Sequence, residues 1–310
     1  MSLPIKCKLP EGYLLPEVRD GYQVCEKQKK IWAVEIDLLI EFFRVCKKYD
    51  INAHVCFGTL LGAIRHKGFV PWDDDADVWM TREEFRKLEA VAEKEFSHPY
   101  FFQTIKTDPK LFINYARLRN SETTALVKGQ DFDGYNNGIF IDIDILDGDA
   151  KTRLGRKWYR IAYRLTQKIV DIYCRKRPLD NRLSQRICWF CRPLIRLFPY
   201  RFWVWIYESA ITMFEGNAPY DPHQRSSFLR GWRLEKGEID ETIEEPFEFI
   251  TVPCPKRFDS VLRKLYDDYM KFPPVEDRGA WHENIIQFEP EIPYAEFLRL
   301  RSERQTAHRK

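Results

Sequence analysis

Residues 139–146, Ile-Phe-Ile-Asp-Ile-Asp-Ile-Leu, constrain the chain more than any other segment. Successive side chains of a strand point to opposite faces, so Ile139, Ile141, Ile143 and Ile145 form one apolar face while Asp142 and Asp144 share the other. The turn-forming run Asp133-Gly134-Tyr135-Asn136-Asn137-Gly138 delivers this strand. A chain that buries four isoleucines behind a pair of carboxylates is using the strand to hold acid in a fixed place.

A second acidic pair stands earlier. Asp73, Asp74, Asp75 and Asp77 follow Pro71 and Trp72. In a strand Asp75 and Asp77 project together while Ala76 and Val78 pack behind them. Carboxylates held side by side repel unless a cation lies between them. Oxygen ligands of this kind suit Mg²⁺ or Mn²⁺, and two such ions about 4 Å apart can clamp the attacking and leaving oxygens of a phosphoryl transfer. The expected metal set is Asp75 and Asp77 with Asp142 or Asp144, and a general base is to be sought among the same aspartates. Gly58 and Thr59, at the end of the apolar stretch 53–57, are candidates to present backbone N–H groups and a hydroxyl to phosphate, with Arg65 and Lys67 neutralising the anion.

The pattern around these motifs alternates. Residues 27–50 carry the apolar positions of a helix with a broad buried face. Residues 53–57 read as a buried strand and 75–80 as the next one. Thr81 with Glu84 makes a capping box for a helix to about residue 95. Segments near 100–104, 112–118 and 123–128 look extended and are expected to widen the same sheet. Helical periodicity returns over 154–177 and, broken around Pro193 and Pro199, over 184–215. A proline- and acid-rich link then precedes a short helical unit at 256–271.

Charge is uneven beneath a net +3. Residues 151–201 hold fifteen Lys or Arg against Asp171 and Asp180, with Trp158 and Trp189 among them and Trp203 and Trp205 just after. That mixture suits an anionic membrane interface. Residues 235–248 are acidic and read as a solvated face. No apolar run is long enough to span a bilayer, and the first residues lack the apolar core of a signal peptide. The expectation is therefore a cytoplasmic protein, at most peripheral at the inner face of the membrane. Eight cysteines without a secretory signal read as reduced thiols, most of them core residues. Cys188-x-x-Cys191 lacks the second pair that a zinc site needs, and His54 reads as a hydrogen-bonded core residue.

FGTLLGAIRHKGFVPWDDDADVWM, 57–80, resembles the signature of the LicD family of phosphotransferases, relatives of fukutin in the nucleotidyltransferase-like superfamily. GIFIDIDILDG, 138–148, resembles the family's second block and VPCPKRFDSVLRKLYDDYMKFPP, 252–274, its C-terminal block. The likeness extends over about 27–150 and 245–280. It implies an α+β fold: a nucleotidyltransferase-like mixed sheet with flanking helices, carrying a basic helical subdomain. The corresponding division is a catalytic core at 1–150, a basic, Trp-containing insertion at 151–215, and a segment at 216–310 that packs back on the core.

The resemblance also selects Asp142 over Asp144 as the third ligand, because the family has an aromatic where Asp144 stands. Asp144 is then an extra ligand or a base. Arg119 matches a basic position of the family and is a second phosphate candidate, ahead of Lys271 and Arg278. The implied reaction moves a phosphorylated alcohol, commonly phosphocholine, from a CDP-linked donor to a hydroxyl of a surface glycan or lipid-linked sugar, with no nucleic acid expected as partner. Two alternatives are a nucleotidyltransferase moving NMP from an NTP and a non-catalytic glycan- or nucleotide-binding protein.

Overall fold

A computed structural model describes residues 3–128, 134–174, 190–216, 220–221, 233–235, 237–278 and 285–307. Strands β1 (Glu17–Arg19) and β2 (Tyr22–Val24) form a hairpin ahead of the helix α1 (Glu26–Lys48). Then come β3 (His54–Val55), the short helix α2 (Phe57–Leu61) running into a π-helical turn at Gly62–His66, β4 (Asp77–Thr81) and α3 (Arg82–Glu95). Next are β5 (Tyr100–Gln103), β6 (Ala116–Asn120), β7 (Thr124–Val127) and β8 (Ile139–Gly148). Helices α4 (Arg153–Cys174), α5 (Arg192–Ile195) and α6 (Tyr200–Ile211) follow, then β9 (Tyr220–Asp221), the hairpin β10 (Thr242–Phe247) and β11 (Ile250–Pro255), α7 (Phe258–Tyr266), β12 (Ile285–Glu289) and α8 (Tyr294–Ala307).

The main sheet runs β3-β4-β8-β6-β5, with β9 added on β8. β4 and β8 are parallel, whereas β3, β6 and β5 pair antiparallel, so the sheet is mixed and helices flank it. Every residue of β8 is buried. Its four isoleucines join Trp32, Ile36, Leu39 and Phe42 of α1 in one core, where each fully buried aliphatic side chain contributes roughly 1.5–3 kcal/mol. Half of the expected capping box forms, with the Glu84 N–H donating to Thr81 Oγ1 at 3.4 Å, while the Glu84 carboxylate accepts from the Asn52 N–H and from Lys87 instead of returning to the Thr81 N–H.

Three segments depart from expectation. Residues 57–66 are helical, where a strand ending in a Gly58-Thr59 turn was anticipated. A short apolar run does not distinguish buried strand from buried helix, and a left-handed Phe57 (φ 45°) turns the chain into α2. β7 leaves the main sheet and pairs with β12. The acid-rich stretch read as a solvated link is mostly structure, because β10 and β11 form a six-pair antiparallel hairpin. Some of its acids are engaged, Glu245 with Lys67 at 2.8 Å, Glu241 with Lys256 at 2.6 Å and Glu248 with Arg19, while Glu235, Asp240, Glu241 and Glu244 are exposed as a solvated face requires. Ahead of the hairpin, Glu238 pairs with Lys264 at 2.6 Å.

A smaller core lies under α4 and α6, built from Val170, Val204, Tyr207 and Ile211 against Ile105, Leu111 and Ile113. No helix among the described residues is long and apolar enough to cross a membrane. Cys46 and Cys254 are buried thiols that burial pushes up to about 12, as core cysteines should be. Cys188 lies outside the described residues.

Candidate active site

The parallel pairing of β4 with β8 sets Asp77 directly beside Asp142. On the other side of β8, Arg117 of β6 is the partner of Asp142, and Gln103 of β5 is the partner of Arg117. Residues in register on neighbouring strands project from the same face roughly 5 Å apart. Four strands thus present one polar row, Asp77, Asp142, Arg117, Gln103, in the interior of the molecule. Asp77 is 2% exposed and Asp142 8%.

Arg117 closes this row. Its Nε donates to Asp142 Oδ1 at 2.7 Å, a second guanidinium nitrogen donates to Tyr115 Oη at 2.6 Å, and the guanidinium lies 3.8 Å from the centroid of the Phe140 ring. Burial weakens the guanidinium's hold on its proton, but the ion pair with Asp142 outweighs this and the pKa is raised. The start of β4 is fixed from α2, with the Asp77 N–H donating to Thr59 Oγ1 at 2.8 Å and the Cys56 N–H to the Asp77 carbonyl at 3.0 Å.

The acidic loop before β4 is anchored by α1. Trp32 Nε1 donates to the Asp73 carbonyl at 3.1 Å, while its ring stacks on Phe69 at 4.8 Å. Gln28 donates to the carbonyls of Pro71 and Asp73. Burial pushes the Asp73 carboxyl up to about 7, against a lowering contribution from its hydrogen bond with Asp75. Glu35, one turn along α1 and 1% exposed, is raised well above the usual carboxylate range, first by burial and then by Asp75, Asp74, Asp73 and Asp77. Burial and the neighbouring carboxylates both favour the neutral form of this carboxyl. The region is therefore more acidic than the Asp motifs alone suggest. Glu35 and Arg117 were both missed in the sequence. The signal for Glu35 was an acid flanked by apolar residues in the buried middle of α1, a signal it shares with Asp37.

The other candidate residues are placed as follows. Asp144 is 2% exposed and lies two residues along β8 from Asp142, with Trp79 as its register partner. Gly58 is within α2, and a Cβ there would come 2.2 Å from Asp73 Oδ2, so the glycine lets the Asp73 carboxyl approach the backbone. Arg65 donates to the Tyr269 carbonyl and, through Nε, to His66 Nε2 at 2.9 Å. It thereby ties the π-helical turn to the segment after α7. Lys67 is half exposed and paired with Glu245. Arg119 is fully buried and donates to Gln103 Oε1 and the Gly138 carbonyl. Burial, with Arg117 adding to it, pulls it down to about 9. Arg278 reaches back to the Asp20 carbonyl at 2.9 Å and lies over Trp72, whereas Lys271 contributes a backbone carbonyl to Arg65. The structure brings Asp77 and Asp142 together beside Thr59 and Arg117; Asp75, expected to share a strand face with Asp77, lies instead in the loop before β4, where it hydrogen-bonds Asp73, and Arg65 and Lys67 face the C-terminal part of the chain.

The donors are all oxygen, which is the chemistry of a hard divalent cation. Among the described residues no three His, Cys, Asp or Glu side chains converge into a ready-made cage, and Arg117 engages one oxygen of Asp142. Asp75, Asp77 and Asp142 are the residues whose chemistry fits such an ion.

Residues 50–150 match the model of the LicD/FKTN/FKRP nucleotidyltransferase domain. Over this third of the chain the sequence is similar to the LicD domain. The match spans β3 to β8 and so contains the whole polar row. A lipopolysaccharide cholinephosphotransferase LicD of Haemophilus influenzae is 28% identical over 262 residues, covering 80% of this chain and 92% of that protein. The similarity to LicD thus extends well beyond the domain itself, although the match to the family model ends where α4 is about to begin.

Proposed function

We propose that this LicD-type chain transfers a phosphorylated alcohol of the phosphocholine kind from a CDP-linked donor to a hydroxyl of a cell-surface glycan or its precursor. The observation that supports this most is the placement of Asp77 beside Asp142 on adjacent parallel strands, with Arg117 next in the row. Mg²⁺ or Mn²⁺, held by Asp75, Asp77 and Asp142, would supply charge neutralisation at the diphosphate. Transfer needs the acceptor oxygen in line with the distal phosphorus and a place for negative charge on the departing CMP. Arg117, already ion-paired at this row, offers a buried cation for that charge. Asp142 or Asp144 would take the acceptor's proton. Asp77, fixed at its backbone by Thr59 and Cys56, needs little reorganisation to hold its position.

The test is a thermal-shift panel of CDP-choline, CDP-ribitol, CDP-glycerol, CTP, ATP and UTP with and without Mg²⁺ or Mn²⁺, followed by product analysis. A metal-dependent rise in Tm with one CDP-alcohol, and CMP release on turnover, is the expected result. The domain's nucleotidyltransferase description motivates the second reading, NMP transfer from an NTP. Stabilisation by a nucleoside triphosphate alone, with pyrophosphate as product, would replace the first reading with that one. Silence throughout would favour a non-catalytic binding protein.

A further inference from the structure

The helix α4 has two unlike sides. Tyr159, Thr166 and Val170 are buried toward the body of the molecule. Leu154, Trp158, Ile161 and Leu165, at i, i+4, i+7 and i+11, make one continuous stripe on the opposite side, and they are 65%, 63%, 47% and 58% exposed. A stripe of large apolar side chains facing outward is not what a helix of a folded domain presents to water. Beside it runs a groove of about 400 Å³ lined by Arg153, Arg156, Lys157, Arg160, Ile161 and Arg164. Five of those six residues are cationic.

The elements packed against α4 also expose large apolar side chains. Leu194 of α5, Leu197 and Phe198 just after it, and Trp205 of α6 are all exposed, at 67%, 75%, 48% and 63%. Of the four tryptophans in or just after the basic stretch, Trp158 and Trp205 are outward. Trp203 is half-buried and donates to the Ile195 carbonyl at 2.7 Å, and Trp189 lies outside the described residues.

We propose that this face of α4, with α5 and α6, is a docking surface for an anionic lipid bilayer. An amphipathic helix with Leu, Ile and Trp on one side and Arg and Lys alongside inserts its apolar stripe at the boundary of headgroups and acyl chains, while the cations meet lipid phosphates. Charge chooses the occupant. A second copy of the chain docked by a twofold axis would set the five cations against themselves. A nucleic acid would satisfy the cations and could stack on Trp158, but it would leave the aliphatic Leu154, Ile161 and Leu165 in water. A bilayer with anionic headgroups satisfies both parts of the surface. Four residues separate the end of β8, the strand that carries Asp142, from the start of α4, so the docking surface follows the polar row directly in the chain.

The experiment is flotation of the full chain with vesicles of phosphatidylcholine alone and of phosphatidylcholine with 30% phosphatidylglycerol, across a salt series. Binding to the anionic vesicles and not to the neutral ones, weakening with salt, is expected. Lys157→Glu with Arg164→Glu should reduce partitioning by at least about 30-fold, given roughly fivefold per cation near an anionic surface. Leu154→Glu with Ile161→Glu should abolish it. These positions are exposed, and unchanged circular dichroism and Tm show that the variants fold. Equal flotation with both vesicle types, or with neither, overturns the proposal, as does binding that survives both variant pairs. Concentration-dependent dimerisation in light scattering that Leu154→Glu with Ile161→Glu removes, without vesicle binding, would make the surface a self-association face instead. None of these readouts depends on transferase activity, so the proposal stands or falls separately from the reading of the acidic site.

Discussion

The polar row of the sheet and the basic face of α4 are both dense in charge, and they treat it in opposite ways. In the sheet, charges are buried and locked to partners across strands and elements: Arg117 to Asp142, Arg82 to Asp147 on the same β8, Arg233 to Asp149. On α4, cations line an open groove beside bare apolar side chains. The difference teaches that charge density alone does not tell a site from a surface. What distinguishes them is whether the fold has removed water from the charged groups, because desolvation turns a charge pair into something that must be satisfied in one geometry.

The comparison can be broken by mutation. The largest effect is expected at the row, where Asp77→Asn and Asp142→Asn should each lower transfer by about 10³-fold, equivalent to about 4 kcal/mol, the second variant also losing stability because it leaves Arg117 buried without its anion. Steady-state CMP release with the donor that the thermal-shift panel selects measures this, and activity within tenfold of wild type would remove the row from the chemistry. Next is Arg82→Ala, which leaves the fully buried Asp147 without its fork of two hydrogen bonds and should cost about 3–4 kcal/mol in urea unfolding.

A titration sharpens the same point. His54 on β3 is held down at about 4 by burial, below its usual 6.5, with Nε2 2.8 Å from Thr242 Oγ1. For a histidine whose folded value is depressed, the unfolded chain takes up the proton first as pH falls. Its contribution is therefore complete above pH 6.5 and is lost toward pH 4, amounting to about 2 kcal/mol at pH 5. The pH 5–7 difference in unfolding free energy should shrink by that amount in His54→Gln. The smallest effect belongs to α4, where Lys157→Ala and Arg164→Ala should change stability by less than about 0.5 kcal/mol, because the cations there are solvated.

What the sequence made legible was local. The period-two contrast of Ile and Asp in β8, the Thr81 cap and the 23-residue α1 depend on neighbours a few positions apart, and they form where expected. What stayed hidden was register and distant pairing. Arg117 and Arg119 are two residues apart on one strand, and only the pairing of β6 with β8 decides that Arg117 meets Asp142 while Arg119 turns to Gln103. The acidic run 235–248 looked like a solvated face because the bases that engage Glu245 and Glu248 lie 178 and 229 residues away. Helical structure at 57–66 was unreadable because apolar residues fill a buried helix and a buried strand alike.

The turn of the late hairpin gives one more consequence, in the time domain of synthesis. Glu248 accepts from the Phe69 N–H at 3.0 Å, and its own N–H donates to the Lys67 carbonyl at 2.8 Å, so it grips the loop that leads into the acidic motif from 179 residues downstream. At roughly 5–20 residues per second of translation, that grip arrives on the order of ten to forty seconds after the loop itself has been made. During this interval the nascent chain holds its crowded aspartates on a loop whose far anchor does not yet exist. Final closure of the acidic region is thus a late event in the synthesis of each molecule, placed after the main sheet and the helices α1 to α6 have emerged.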